Sequence, residues 1–300
     1  MPLERCDWQE AEHRVTEALA ISDRMGGERN TGVLFRDTSS WIARCRGDYA
    51  RSLALGREAV AAADTPEADW LGWAAAGLAI PLLDLRASEE AVAVLERGLA
   101  AAERNRARGQ IFRCLGALSS ATRMAGGETQ ARALVERAQL IAEQVTTPPG
   151  KVDFWGEQAY FAIAETQLAN GDIERAEQAM QGRLQAWERS GAQRSIARTA
   201  RFLARCAEAR GDLGSAGEML ARSAEAAGEE GLLCERWQIE AGLARVAVAA
   251  DSLTDAEEHG RRAHELIDTM AASVEDEEIG ARFRERALTE IDRPASTLRD

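Results

Sequence analysis

Proline is scarce in this chain, 6 among 300 residues, and no apolar run approaches the length needed to span a bilayer. With 45% hydrophobic and 29% charged residues, the composition is that of a water-soluble, fully folded protein. The first residues, Met1-Pro2-Leu3-Glu4-Arg5, lack the basic stretch followed by an apolar one that a secretion signal needs, so a cytoplasmic location is expected. Positive charge is also short: 37 Lys and Arg against 50 Asp and Glu give a formal net charge of −13. That balance argues against direct nucleic-acid binding, which relies on clustered positive charge, and against an anionic membrane surface. Lys151 is the only lysine, so 36 of the 37 basic residues are arginine.

Residues that build reactive centres are few. Cys6, Cys45, Cys114, Cys206 and Cys234 form an odd set without a Cys-x-x-Cys pair, which excludes a disulfide scaffold and a zinc knuckle and leaves reduced thiols. Cys114 and Cys206 fall on predicted helices among apolar neighbours, where a free cysteine serves as a small hydrophobe. Of the three histidines, His13, His259 and His264, the last two are five apart. They would sit about 140° apart around a helix, unlike the i, i+4 spacing of a helical zinc pair. Phosphate-binding glycine loops, dinucleotide fingerprints and nucleophile elbows are absent too. No metal or cofactor is expected, and nothing in the sequence supports catalysis.

What is present is a repeat. Seven segments read Cys6-Asp7-Trp8, Gly47-Asp48-Tyr49, Arg86-Ala87-Ser88, Gly126-Gly127-Glu128, Gly171-Asp172-Ile173, Gly211-Asp212-Leu213 and Asp251-Ser252-Leu253, spaced about forty residues apart. Gly is favoured just past a helix, and Asp or Ser at the start of the next, so each segment marks one helix ending and another beginning. Four residues after each cap stands a small residue: Ala11, Ser52, Ala91, Ala131, Ala176, Ala216 and Ala256. Seven residues later another small residue recurs at Ala18, Ala59, Gly98, Ala138, Ser223 and Ala263, with Arg183 the exception, which keeps both sets on one helix face for close packing.

Nine and eight residues before the caps come Leu78-Ala79, Leu118-Ser119, Ile163-Ala164, Leu203-Ala204 and Leu243-Ala244, a register that fails only at Ser39-Ser40. A large and then a small residue in one helix, a Gly-Asp turn, and small residues in the next resembles the tetratricopeptide (TPR) repeat over nearly the whole chain. The period exceeds the usual length of about 34 residues, which longer helices explain. The tail, Met270-Ala271-Ala272-Ser273-Val274, Asp276 and Arg282-Phe283-Arg284-Glu285-Arg286-Ala287, is similar to the segment closing the C-terminal sensor regions of bacterial maltose-regulator-type transcription activators and of ATPase or nucleotide-cyclase regulators. That resemblance implies a regulatory solenoid whose ATPase and DNA-binding parts lie elsewhere.

The expected architecture is all-α: a right-handed α-solenoid of about seven TPR-like hairpins with a C-terminal capping helix near Glu275 to Ile291. Residues 1–147 would form the N-terminal repeats and 148–300 the C-terminal repeats with the cap. One continuous array is expected, with a joint at 146–151, where Pro148-Pro149 forbids helix. The first repeat is incomplete, because its second helix begins at Trp8. Either the chain is the C-terminal portion of a longer regulator, the reading the tail favours, or its bare end packs on another copy as a homo-oligomer.

In such arrays the first helices of the hairpins line the recognition face. The helix predicted from Gln193 to Arg210 carries Arg194, Arg198, Arg201 and Arg205 within about 60° of each other. Either they pair internally, with Glu165, Glu208 or Glu240, or they clamp a carboxylate or phosphate. On the clamp reading, Arg198→Glu with Arg201→Glu abolishes binding and spares stability. Tryptophan, with 7 residues, is more numerous than phenylalanine, with 6, or tyrosine, with 2. Trp70 and Trp73, three apart, are expected in the core, whereas Trp155 and Trp237, near the starts of helices flanking the stripe, are expected on the groove. The functional expectation is therefore a non-catalytic scaffold for a protein or peptide partner, with an acidic peptide suiting the stripe. The alternative is a small-molecule effector receptor, or less plausibly an enzyme, with a pocket inside the superhelix.

Overall fold

The computed structural model describes residues 7–24, 29–65, 69–144 and 156–292. Among them are fourteen α-helices and no strand. A lone α1 (Trp8–Arg24) precedes six hairpins: α2 (Arg29–Cys45) and α3 (Tyr49–Ala63), α4 (Leu71–Asp84) and α5 (Ser88–Arg104), α6 (Arg108–Met124) and α7 (Glu128–Gln144), α8 (Glu157–Ala169) and α9 (Ile173–Ser190), α10 (Gln193–Arg210) and α11 (Leu213–Ala227), and α12 (Leu233–Ala249) and α13 (Leu253–Ala272). The chain closes with α14 (Glu277–Asp292), at the place expected for the capping helix. The proline-rich stretch 146–151, expected to be a joint, lies outside the described residues.

The turns inside the hairpins are one backbone event repeated six times. The N–H groups of Asp48, Ala87, Gly127, Asp172, Asp212 and Ser252 each reach back five residues, to the carbonyls of Ala43, Leu82, Thr122, Gln167, Ala207 and Ala247, at 2.9–3.0 Å. This is the bond of a Schellman ending, and it requires a left-handed residue just before the donor. Gly47, Gly126, Gly171 and Gly211 supply it with φ of 79–86°, while Arg86 and Asp251 adopt it at φ 58° with a side chain attached. Asp48 and Asp212 then cap α3 and α11 through the N–H of Arg51 and Ser215. These capping bonds, the backbone one first, hold the Asp212 carboxyl below its ordinary pKa. A methyl at Gly211 would meet no neighbour within 4 Å, so its cost is backbone strain alone. Gly211→Ala is therefore expected to destabilise by about 1–2 kcal/mol, and Asp251→Gly to stabilise by up to about 1 kcal/mol, both measured by thermal unfolding.

The small-residue registers are where helices touch. Ser52, Ala91, Ala131, Ala176 and Ala216 are fully buried, as are Ser119, Ala204, Ser223 and Ala263. Where the small residue is serine, its hydroxyl bonds the partner helix's backbone: Ser40 to the carbonyl of Ser52 at 2.8 Å, Ser119 to that of Ala131 at 3.1 Å, and Ser223 to that of Ala197 at 2.6 Å. The first two are the same bond in two hairpins, twelve residues across the turn. Ser39-Ser40 thus keeps the register in its small residue and departs from it only in the large one.

The chain forms two compact units, one of Trp8–Arg44 and Asp48–Thr166, the other of Met1–Asp7, Cys45–Gly47 and Gln167–Asp300. In the first, helices α3 to α7 pack serially, and first helices also touch each other directly, α4 on α6. These run parallel at one period of offset. Arg44 meets Asp84, forty residues on, and Gly77 lies against the carboxylate of Asp37, so close that a methyl there would overlap it. Gly116 likewise lies on the backbone of Ala159, bringing α6 and α8 into contact. In the second unit α9 to α14 pack serially, and α14 buries Ile279, Phe283 and Ala287.

Second helices carry a separate row of surface ion pairs: Arg51 with Glu12, Arg97 with Asp64 and Arg137 with Glu103 in the first unit, Arg222 with Glu188 in the second. Exposed pairs of this kind contribute about 0–1 kcal/mol each. They give part of the arginine a structural use.

Candidate functional site

Helix α10 is amphipathic and buries Ile196, Ala200, Phe202, Leu203 and Cys206. Its half-exposed side carries Arg198, Arg201, Arg205 and Glu208, spaced three and four residues apart and hence on one face. Arg194 shares their direction but is only 5% exposed, so it belongs to the packed part of the helix and leaves the open stripe with three arginines. Helical geometry gives the face of a residue, not how deeply the first turn is covered.

Arg201 is held from the neighbouring first helix. Its Nε and Nη2 both donate to Oε2 of Glu235 on α12, at 3.0 and 2.9 Å, and Glu235 is itself buried. The three acidic residues considered from sequence also meet other groups: Glu208 accepts from Arg245 at 3.2 Å, Glu165 lies 3.9 Å from Arg123, and Glu240 lies 2.7 Å from Nδ1 of His259. One consequence corrects the expectation that Arg198→Glu with Arg201→Glu leaves stability intact. Placing a second carboxylate beside buried Glu235 removes its counter-charge, a loss of about 3–5 kcal/mol for a buried pair broken on one side. Arg205 lies 5.8 Å from the Phe202 ring. Arg201→Glu is expected to lower the unfolding midpoint, as read by circular dichroism.

A second polar arrangement joins the first helices of the N-terminal unit. Asp37 of α2 accepts the indole N–H of Trp73 from α4 at 2.8 Å and lies 3.4 Å from the guanidinium of Arg113 on α6. The Arg113 guanidinium stacks 4.2 Å from the centre of the Trp73 ring, a cation–π contact. Burial pushes the Asp37 carboxyl above its ordinary pKa, and the charge of Arg113 and the bonds from Trp73 and Arg113 oppose that shift. About two turns further along the same helices, Asp84 binds Arg44 through two nitrogens and accepts the Tyr49 hydroxyl at 2.9 Å. Both clusters escaped the sequence reading, which placed Trp73 in an apolar core. Opposite charges one repeat apart, Arg44 and Asp84, were the signal.

The remaining tryptophans divide. Trp155 lies outside the described residues. Trp237 is 2% exposed and meets Phe283 of α14 edge-on, with ring centres 6.4 Å apart. Its indole therefore fastens the closing helix to α12, a core position and not the groove wall expected from its place near the helix start. Cys114 and Cys206 are fully buried, and burial pushes their thiols up to about 12 and about 11, so neither is a nucleophile at neutral pH. Among the described residues, no three His, Cys, Asp or Glu side chains gather as a metal site requires, and no helix is long and apolar enough to cross a membrane.

No protein-family model matches the chain, and no curated protein matches it significantly. Solved structures do. One is a Rap protein complexed with Competence and Sporulation Factor, with a TM-score of 0.56 at 14% identity, covering 92% of this chain and 79% of that one. Another is the Rap conjugation gene regulator of plasmid pLS20 in complex with the Phr* peptide, with a TM-score of 0.54 at 11% identity, covering 87% and 74%. The fold is a TPR-like helical solenoid. At these identities the likeness speaks to fold, and the tail's similarity to maltose-regulator-type activators stays a resemblance.

Proposed function

We propose that this chain is a non-catalytic recognition scaffold for a peptide or protein partner, serving as the sensor or interaction part of a bacterial, cytoplasmic regulatory system of the transcription-controlling kind. The observation that carries the proposal is the half-exposed face of α10, which presents Arg198, Arg201 and Arg205 in one row. Arginine's planar fork suits carboxylates, so an acidic segment is the partner chemistry that fits. One solved structure of like fold is, by its own description, a complex with a peptide, and another a complex with Competence and Sporulation Factor, which supports the same reading.

Within the C-terminal unit, the pair of Arg201 with buried Glu235 braces α10 against α12. A partner that prefers one arrangement of the hairpins would shift their equilibrium, giving a regulatory output without chemistry. The test is selection from a random peptide library on immobilised protein, followed by affinity measurements on Arg198→Glu/Arg205→Glu. Selected peptides are expected to be rich in Asp and Glu and to lose at least about tenfold in affinity for the variant, as removal of one charge-assisted bond predicts. Peptides without acidic residues that bind the variant undiminished would reject the reading.

A further inference from the structure

We infer that the C-terminal unit also carries a separate cleft that takes a small amphipathic cation, an ammonium or guanidinium on an apolar stem. The cleft lies among α9, α10 and α11 and has a volume of about 370 Å³, within the range of about 300–1,000 Å³ that small-molecule sites occupy. Its lining is mostly polar or charged, with Leu184 of α9, Leu203 and Ala207 of α10 and Met219 of α11 as its apolar residues. Leu203 is two residues from Arg201, about 200° around α10, so the cleft opens on the side of that helix away from the arginine stripe. It is independent of the peptide-recognition reading.

Charge around the lining selects the sign of the ligand. Three carboxylates, Glu177, Glu188 and Glu218, stand against two guanidiniums, Arg210 and Arg222. Arg210 is bound to Glu177, and Arg222 to Glu188. Glu218, on the exposed side of α11, is the carboxylate left over. An anion entering here meets guanidiniums already engaged and an uncompensated negative charge. A cation meets Glu218, while its stem covers the half-buried Met219. The two ion pairs bridge α9 to α10 and α9 to α11.

Calorimetric titration of the full chain with hexylguanidinium, methylguanidinium and hexanoate tests this. Hexylguanidinium is expected to bind saturably at one site, at least about tenfold more tightly than methylguanidinium, since burying several methylenes contributes about 0.8 kcal/mol each. Hexanoate is expected not to saturate. Met219→Trp fills the cleft and should abolish binding of hexylguanidinium. Glu218→Gln, at an exposed position that the fold does not need, should weaken it about tenfold. Binding of hexanoate equal to that of hexylguanidinium, absence of saturable hexylguanidinium binding, or wild-type affinity in both variants would overturn the proposal.

Discussion

Replacing Arg44 by Met is expected to destabilise the protein by about 3–5 kcal/mol, read as the loss of unfolding free energy in urea. The side chains of Arg44 and Asp84 are both nearly inaccessible to water, at 5% and 10%. Their pairing joins α2 to α4 one repeat apart, and Tyr49 of α3 donates to the same carboxylate. Methionine fills similar volume but leaves Asp84 charged in a dry site without the guanidinium that balances it. The double change Arg44→Met with Asp84→Leu removes both charges, and buried pairs replaced in this way are often neutral or better. Recovery of most of the lost stability in the double variant would show that the cost lies in the orphaned carboxylate and not in packing.

Gly116→Ala is expected to destabilise, against the ordinary preference of helices. In a helix interior that change adds about 0.8–1.0 kcal/mol of propensity. Here the added methyl would run into the backbone and side chain of Ala159. Backbone cannot swing aside as a flexible side chain can, so α6 and α8 must separate, at a cost of about 1–3 kcal/mol from overpacking. Separation would also stretch the bonds beside it, Gln158 to Ser120 at 3.0 Å and Arg123 to Thr166. A lowered midpoint with unchanged helix content measures the effect. Gly182→Ala, where nothing lies within 4 Å, is the control and should stabilise.

The fold was legible because its determinants are local. Caps and left-handed turn residues act over five residues, and small-residue positions repeat with the helix, so both survive in a single sequence read at a period of forty. Even the exceptions obeyed the geometry: Arg86 and Asp251 hold the turn conformation glycine holds elsewhere. The candidate site was legible in direction and illegible in depth. Arg198, Arg201 and Arg205 share the predicted face of α10, but the burial of Arg194 and Trp237 depends on what covers them, which is set by tertiary packing. The partner of Arg201, Glu235, lies on the next first helix, thirty-four residues on. Cross-repeat contacts of that kind follow from stacking offset, and the offset is forty for α2 on α4 but shorter for α10 on α12.

The measurement closest to the central claim is amide hydrogen exchange of the protein with and without a library-selected acidic peptide. The account predicts added protection along α10 and α12, the first helices that carry and brace the arginine face, with α11 and α13 unchanged. Protection confined to α11 and α13 would contradict it.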